Sequence, residues 1–296
     1  VTNPSVFTDE DWRRIVTPAT RGKYDDAEQT GEFGIGFWGS LHLTDSPVVT
    51  SGSDEVTLHP VHGATKRIVK PIAGTRFEFA YRRTQTDIGR GLQVRTVTAE
   101  DEARMALVFV NDLSQLLLFT RAIDVITLAL PDGTKRRARR SVTELGNGVA
   151  SLDVTVEGAP DRGCRYVTVA TEIPNPPESR HGRVTVALPA DGNPAPGRVF
   201  VTFPTETSTG LNLSINAHFR PTNDRRSLQH DGEHGLWNQR IFAVAGTAVG
   251  RVIERVLDEA VTGVPYDSAV QWFSATPTSG RAGLFIQALD VEARQR

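Results

Sequence analysis

The chain has 296 residues, of which 39% are hydrophobic and 23% charged, and it carries a net charge of -2. That length accommodates a large core and two domains of the usual size, roughly 100–200 residues each. The near-neutral charge excludes a global field for nucleic acid, and no run reaches the ~20 uninterrupted apolar residues of a membrane helix.

Thr8-Asp9-Glu10-Asp11 opens the first predicted helix. Thr8 caps it, and the acidic residues are a solvated helix start that complements the dipole. Trp12, Ile15 and Val16 give the helix one apolar face, and Pro18 ends or bends it. Residues 19–32 are small, polar and charged and read as an exposed loop. The glycine-rich stretch Gly31-Glu32-Phe33-Gly34-Ile35-Gly36-Phe37 then opens a short helix. Strands are expected at Pro47–Ser51, Glu55–Pro60 and Lys66–Lys70. Gly74–Arg82 alternates, with Phe77, Phe79 and Tyr81 on one face, as a half-buried antiparallel strand does.

Residues 84–104 are polar and mark the expected boundary, giving domains 1–90 and 91–296. Beyond it, Leu107–Phe109, Gln115–Thr120, Asp124–Leu130, Leu152–Val156, Tyr166–Glu172, Arg183–Leu188, Val199–Phe203 and Asn212–His218 read as strands. Turns such as Pro131-Asp132-Gly133 and Gly146-Asn147-Gly148 separate them. The basic run Lys135–Arg140 follows one of these turns and reads as a solvated hairpin strand in preference to a nucleic-acid contact. Apolar residues from Trp237 to Val256 recur at helical spacing and predict a long helix near 236–257, eased at Gly246 and Gly250.

Other chemical signals are sparse. Cys164, the one cysteine, excludes an internal disulfide or a cysteine-rich metal site and reads as a small buried hydrophobe. The histidines lack zinc spacing, and His230 and His234, four apart, fall in what reads as a polar loop. Asp231-Gly232 reads as a turn, and no Gly-x-Ser-x-Gly elbow points to a hydrolase. The sequence shows no signal peptide, so the cytoplasm is the default. It begins at Val1, not Met, and reads as a fragment or processed piece.

Gly31, Gly34 and Gly36 aim several backbone N–H groups and a helix N-terminus at one point, an arrangement suited to phosphate. Their spacing is neither that of a Rossmann turn nor that of a Walker loop. With Leu41-His42-Leu43-Thr44-Asp45-Ser46-Pro47 behind it, the stretch resembles the third ATP-binding motif of the GHKL ATPases. That superfamily comprises gyrase, the ninety-kilodalton heat-shock chaperone, histidine kinases and MutL. The tail Thr44-Asp45-x-Pro47, with Ser51 after it, resembles the sacsin-type subgroup. Thr20-Arg21-Gly22-Lys23, Gly74-Thr75, and Asn212–Phe219 with Asn223-Asp224-Arg225-Arg226 are similar to further family segments, in the family's order.

The resemblance implies a two-layer α/β sandwich of the GHKL (Bergerat) type lacking its N-terminal part, then a second mixed α/β domain and a C-terminal helix. Gly34 and Gly36 would belong to the hinge where a lid, residues 17–31, closes on the phosphates, with Gly31 and Ile35 in the same stretch and Phe33 and Phe37 packed beneath. Thr20 and Lys23 would approach the phosphates, Thr75 would set its hydroxyl by the adenine, and Arg225 or Arg226 would sense the terminal phosphate. ATP and Mg2+ would be the ligands, and closure would control conformation or self-association. In the family a Glu base, an Asn that holds magnesium and an Asp-x-Gly precede the segment that Phe7–Trp12 resembles. Only six residues precede Phe7, so the base for hydrolysis would come from outside this sequence. The alternative is a scaffold of the same fold that binds nucleotide weakly and has no catalysis. A DNA-linked member is disfavoured by the acidic charge.

Overall fold

Two sheets carry the core, one in each of the units Val1–Met105 and Ala106–Arg296. The computed structural model describes residues 2–17, 37–120, 123–130, 132–158, 163–176, 182–191, 196–222, 227–274 and 280–295.

The first unit contains β1 (Thr2–Asn3), α1 (Asp9–Val16), a 3-10 helix (Phe37–His42), β2 (Val48–Ser51), β3 (Asp54–His59), β4 (Gly63–Ile68), β5 (Thr75–Glu78) and α2 (Asp87–Gly91). Thr8 caps α1 as the sequence implies: its hydroxyl accepts the Asp11 N–H, and the Asp11 carboxylate accepts the Thr8 N–H. The strands form one antiparallel sheet in the order β1-β5-β2-β3-β4. Gly52, at φ +56°, supplies the left-handed turn that lets Ser51 pair with Asp54.

α3 (Ala99–Leu118) begins in the first unit and ends in the second. The strand expected at Leu107–Phe109, and that expected at Gln115–Thr120 as far as Leu118, are turns of this helix, not strands. The reason is local: Thr98 and Asp101 form a reciprocal capping pair at 3.0 and 3.1 Å, and Leu113 and Leu117 repeat at helical spacing.

The second unit then adds β6 (Val125–Ala129), β7 (Lys135–Gly146), β8 (Val149–Glu157), β9 (Cys164–Glu172), β10 (Arg183–Pro189), β11 (Arg198–Val201), β12 (Phe203–Ser208) and β13 (Ser214–Ala217). Their order is β12-β11-β13-β10-β9-β8-β7-β6, antiparallel except for the pair β11 and β13. The Lys135–Arg140 run lies in β7, between β6 and β8, as the hairpin pattern implies. α4 (Gly232–Leu257), α5 (Glu259–Thr262), α6 (Tyr266–Val270) and α7 (Gly280–Arg294) follow. The long helix stands where its spacing places it, but among the described residues three more α-helices and a 3-10 turn at Gln271–Phe273 come after it. Asp231-Gly232 is the N-cap and first residue of α4, not a free-standing turn.

Period-two alternation in β10 builds the layers. Val184, Val186 and Leu188 join Trp237, Ile241, Phe242 and Phe285 in one core, while Ala187 joins Leu113 and Leu117 of α3 and Phe200 in the other. The result is a mixed α/β unit with helices on both faces of its sheet. α4 and α7 approach closely because Gly246 and Gly250 have no side chain: a methyl group at either would lie 2.2 Å from the Phe285 carbonyl oxygen or 2.5 Å from Glu292 Cβ. Among the described residues no helix is long and apolar enough to cross a membrane.

Candidate functional site

Of the residues singled out in the sequence, Phe37 and Thr75 are placed by the structure. Thr20, Lys23, Gly31, Phe33, Gly34, Ile35, Gly36, Arg225 and Arg226 lie outside the described residues.

Thr75 opens β5, next to Gly74 at φ +85°. Gly74 also admits the chain's first residues, since a methyl group there would sit 2.0 Å from the Asn3 carbonyl oxygen. The Thr75 side chain is 1% exposed and hydrogen-bonded on both sides. Its hydroxyl donates to the Ser5 carbonyl at 2.7 Å and lies 2.7 Å from the Ser51 hydroxyl. Ser51 in turn accepts the Phe7 N–H at 2.7 Å. A carbonyl cannot donate, so the Thr75 proton goes to Ser5 and the Ser51 proton goes to Thr75. The order is therefore fixed: Phe7 N–H to Ser51, Ser51 to Thr75, Thr75 to Ser5.

Phe37 begins the 3-10 helix and rests against β5, with ring centroids 6.0 Å from Phe77 and 6.2 Å from Phe79. Phe7 packs on the same patch, 6.0 Å from Phe77 and 5.0 Å from Trp12. These tilted and edge-on contacts are the geometries that aromatic quadrupoles favour. Phe37, the residue after the glycine stretch in sequence, is thus packed on the strand that starts at Thr75.

The far end of the 3-10 helix is fixed by Arg82, whose side chain is fully buried. Its Nε donates to Asp45 at 2.5 Å, and its Nη2 donates to the carbonyls of Leu41 at 2.7 Å and Thr44 at 3.2 Å. A helix end leaves carbonyls without intrahelical partners, and the guanidinium reaches those of Leu41 and His42 as well as that of Thr44 just beyond. Gly89 makes room for it, because a methyl group there would lie 2.9 Å from Arg82 Cδ. Glu55, on β3, is held below the usual carboxylate range, chiefly by its hydrogen bond from Arg67. Val16, Trp38, Leu41, Leu58, His59 and Ala64 help to wall an open, largely apolar cavity of about 350 Å³.

In the second unit, the chain on either side of residues 223–226 is tied into a stem. The Thr222 N–H donates to the Ser227 carbonyl at 2.8 Å and the Gln229 N–H to the Arg220 carbonyl at 3.0 Å. Buried Asn238 of α4 accepts the Arg220 N–H at 2.8 Å and donates to the carbonyls of Arg220 and Gln229, both at 2.9 Å. The Trp237 indole donates to the His218 carbonyl at 2.8 Å. Cys164 is half-buried, and burial pushes its thiol up to about 11, which keeps it protonated and unsuited to nucleophilic work at neutral pH. Among the described residues no group of three or more His, Cys, Asp or Glu side chains could hold a metal ion.

Sequence reasoning passed over Ser51, Arg82 and Asn238 as functional candidates. Ser51 stood in a quoted motif, but its partner Thr75 is 24 residues away. Arg82 is the last residue of an alternating segment, and nothing local says that its side chain turns inward.

Residues 1–86 match the family model described as the sacsin domain. Sacsin of Homo sapiens is 45% identical over 60 residues, which is 20% of this chain. The matched stretch spans only about 1% of that relative's length. The chain therefore carries a sacsin-related domain in its first 86 residues.

Proposed function

We propose that residues 1–86 are the phosphate-side part of an ATP-binding module of the GHKL type, a Bergerat sandwich whose lid closes on ATP to control conformation or self-association. The observation that carries this proposal is the packing of Phe37 on Phe77 and Phe79. It holds Phe37, the residue that follows the Gly31/Gly34/Gly36 stretch in sequence, beside the strand that begins at Thr75.

In this module the backbone N–H groups of residues 31–36 face the phosphates, and no side chain at Gly34 or Gly36 blocks their approach. Thr20 and Lys23 add a hydroxyl and a positive charge on the lid side. Thr75 meets the base. Mg2+ would be carried by the ATP phosphates. When bound, it neutralises phosphate charge.

A second function, a docking scaffold with weak nucleotide binding, is favoured by one observation: the Thr75 hydroxyl already gives its proton to Ser5. The deciding experiment titrates ATP and a non-hydrolysable analogue, with Mg2+, into the intact protein and into a Gly34→Asp/Gly36→Asp double variant. Micromolar binding that the variant loses supports the ATP module. No binding at millimolar nucleotide leaves the scaffold.

A further inference from the structure

α3 has two unlike sides. Leu113 and Leu117 sit in a core of the second unit, whereas Leu107, Val108 and Phe109 are 58%, 51% and 53% exposed. Val108 and Leu117 are nine residues apart, about two and a half turns, so they point to opposite sides of the helix. Single exposed apolar residues are ordinary on a protein surface. Three in succession form a contiguous ridge of the kind that partners cover.

The charges beside this ridge complement a second copy of the same helix. Arg104 and Asp112 lie four residues before and four after Val108, on its side of the helix, each about 6 Å along the axis from it. Arg104 is 70% exposed and pairs with Asp101 at 3.3 Å, while Asp112 has no ion-pair partner among the described residues. Within one chain the two are about 12 Å apart along the axis and cannot meet. When two copies lie antiparallel with both Val108 residues at the two-fold axis, Arg104 of each comes level with the partner's Asp112. Helices packed at the usual 8–10 Å bring that pair within an arginine's reach. Glu100, Asp101 and Glu102 come level with Leu116, Gln115 and Ser114, so no like charges meet. A parallel pair would instead set arginine on arginine and aspartate on aspartate.

We propose that the exposed face of α3 is a self-association surface: two copies of this chain pair their α3 helices antiparallel about Val108, with Arg104 of each against the partner's Asp112. Val108 packs at the axis, and Leu107 and Phe109 flank it. α3 lies beyond residues 1–86, so the surface is separate from the sacsin-related domain. It does not rest on the ATP module proposed above. One helix face offers less than the ~800 Å² per partner of a stable complex, so the dimer is weak and forms in the micromolar range.

The test is sedimentation equilibrium of the intact protein without nucleotide, from low micromolar to near-millimolar concentration. The wild type is expected to pass reversibly from monomer to dimer. Arg104→Asp and Asp112→Arg should each weaken the dimer about ten-fold, since one change alters two symmetric pairs. The double variant Arg104→Asp/Asp112→Arg should recover wild-type affinity, because the exchanged charges complement each other again. As the two residues cannot meet within one chain, that recovery reports a contact between chains. Val108→Glu sets two carboxylates at the axis and should leave a monomer. Its thermal unfolding curve should stay close to wild type, because Val108 is half exposed; should it fail to fold, the charge variants decide. A wild type that stays monomeric at every concentration overturns the proposal and leaves the ridge to another occupant. A dimer that these substitutions do not weaken, or that the exchanged charges do not restore, overturns it as well.

Discussion

Arg82 and Asp45 meet at 2.5 Å, across 37 residues of sequence, at the end of the 3-10 helix that follows the glycine stretch. The guanidinium is fully buried, whereas the carboxylate keeps some contact with solvent. The pair is thus lopsided, and most of the exposure to loss sits with the arginine.

Arg82→Ala is expected to destabilise the first unit by about 3–5 kcal/mol, the range for a broken buried pair. It strands the Asp45 carboxylate and the carbonyls of Leu41 and Thr44. Asp45→Asn keeps an oxygen for Nε and should cost less, about 1–2 kcal/mol. Urea unfolding of the two variants checks the ranking; an equal cost would mean that the carbonyl bonds contribute little.

Two glycines in packed helices should respond to alanine with opposite signs. At Gly246 the added methyl meets the Phe285 carbonyl at 2.2 Å and Ala288 Cβ at 2.9 Å, so α7 must move. The expected loss is about 1–3 kcal/mol. At Gly283, in α7, nothing lies within 4 Å of the added methyl. Relief of glycine's helix penalty should there stabilise by up to about 1 kcal/mol. Denaturation midpoints that shift in the same direction would contradict the close α4–α7 contact.

Asp101 at the start of α3 is held far below the ordinary carboxylate range, first by the two-pronged bond from Arg95 at 2.6 and 2.8 Å, then by the N–H and hydroxyl of Thr98. Its folded value lies below its unfolded one, so the unfolded chain takes up the proton first as pH falls. The stabilisation is therefore complete above the unfolded value of about 4 and drains away as pH drops through the folded value. Asp101→Asn should lower the melting temperature at pH 7 and differ progressively less from wild type below pH about 4. A difference that persists unchanged into strong acid would assign the effect to something other than the charge.

Asn238 offers a test in which the smaller chemical change does more harm. Alanine removes the amide that pairs with the Arg220 N–H and with the Gln229 carbonyl and leaves the Arg220 carbonyl with the Gln229 N–H, at a cost of about 3 kcal/mol. Aspartate keeps the acceptor but sets a buried negative charge against two carbonyl oxygens. At pH 7 Asn238→Asp should be less stable than Asn238→Ala, with the gap closing in acid as the carboxyl protonates. Equal unfolding curves at both pH values would place the amide outside the contacts described.

Local signals in the sequence carried the elements whose causes are local. Thr8-Asp9-Glu10-Asp11 announces α1 because the cap is made within four residues. Asn147-Gly148 announces the β7–β8 hairpin because both residues adopt the positive φ that the tight turn requires. α3 carries the same kind of cap at Thr98 and Asp101, yet its sequence reads as strands at Leu107–Phe109 and Gln115–Thr120, because short apolar runs do not reveal their period. The candidate site was legible only in part. Thr75 stands out beside Gly74, yet the group that takes its proton is the backbone of Ser5, which any residue type could supply. Arg82 depends on carbonyls brought to it by the fold, and a residue's identity says nothing about where such carbonyls will be.

The glycine seats of α4 also set a schedule for synthesis. Phe285 of α7 is fully buried in the same core as Val184 and Ile215, so that core stays open while the ribosome is still adding the helices after β13. Strands and α4 emerge first with their apolar faces uncovered, and only when α7 has cleared the exit tunnel can the last layer close. During that interval the nascent second unit is a natural client for whatever in the cell shields unfinished surfaces.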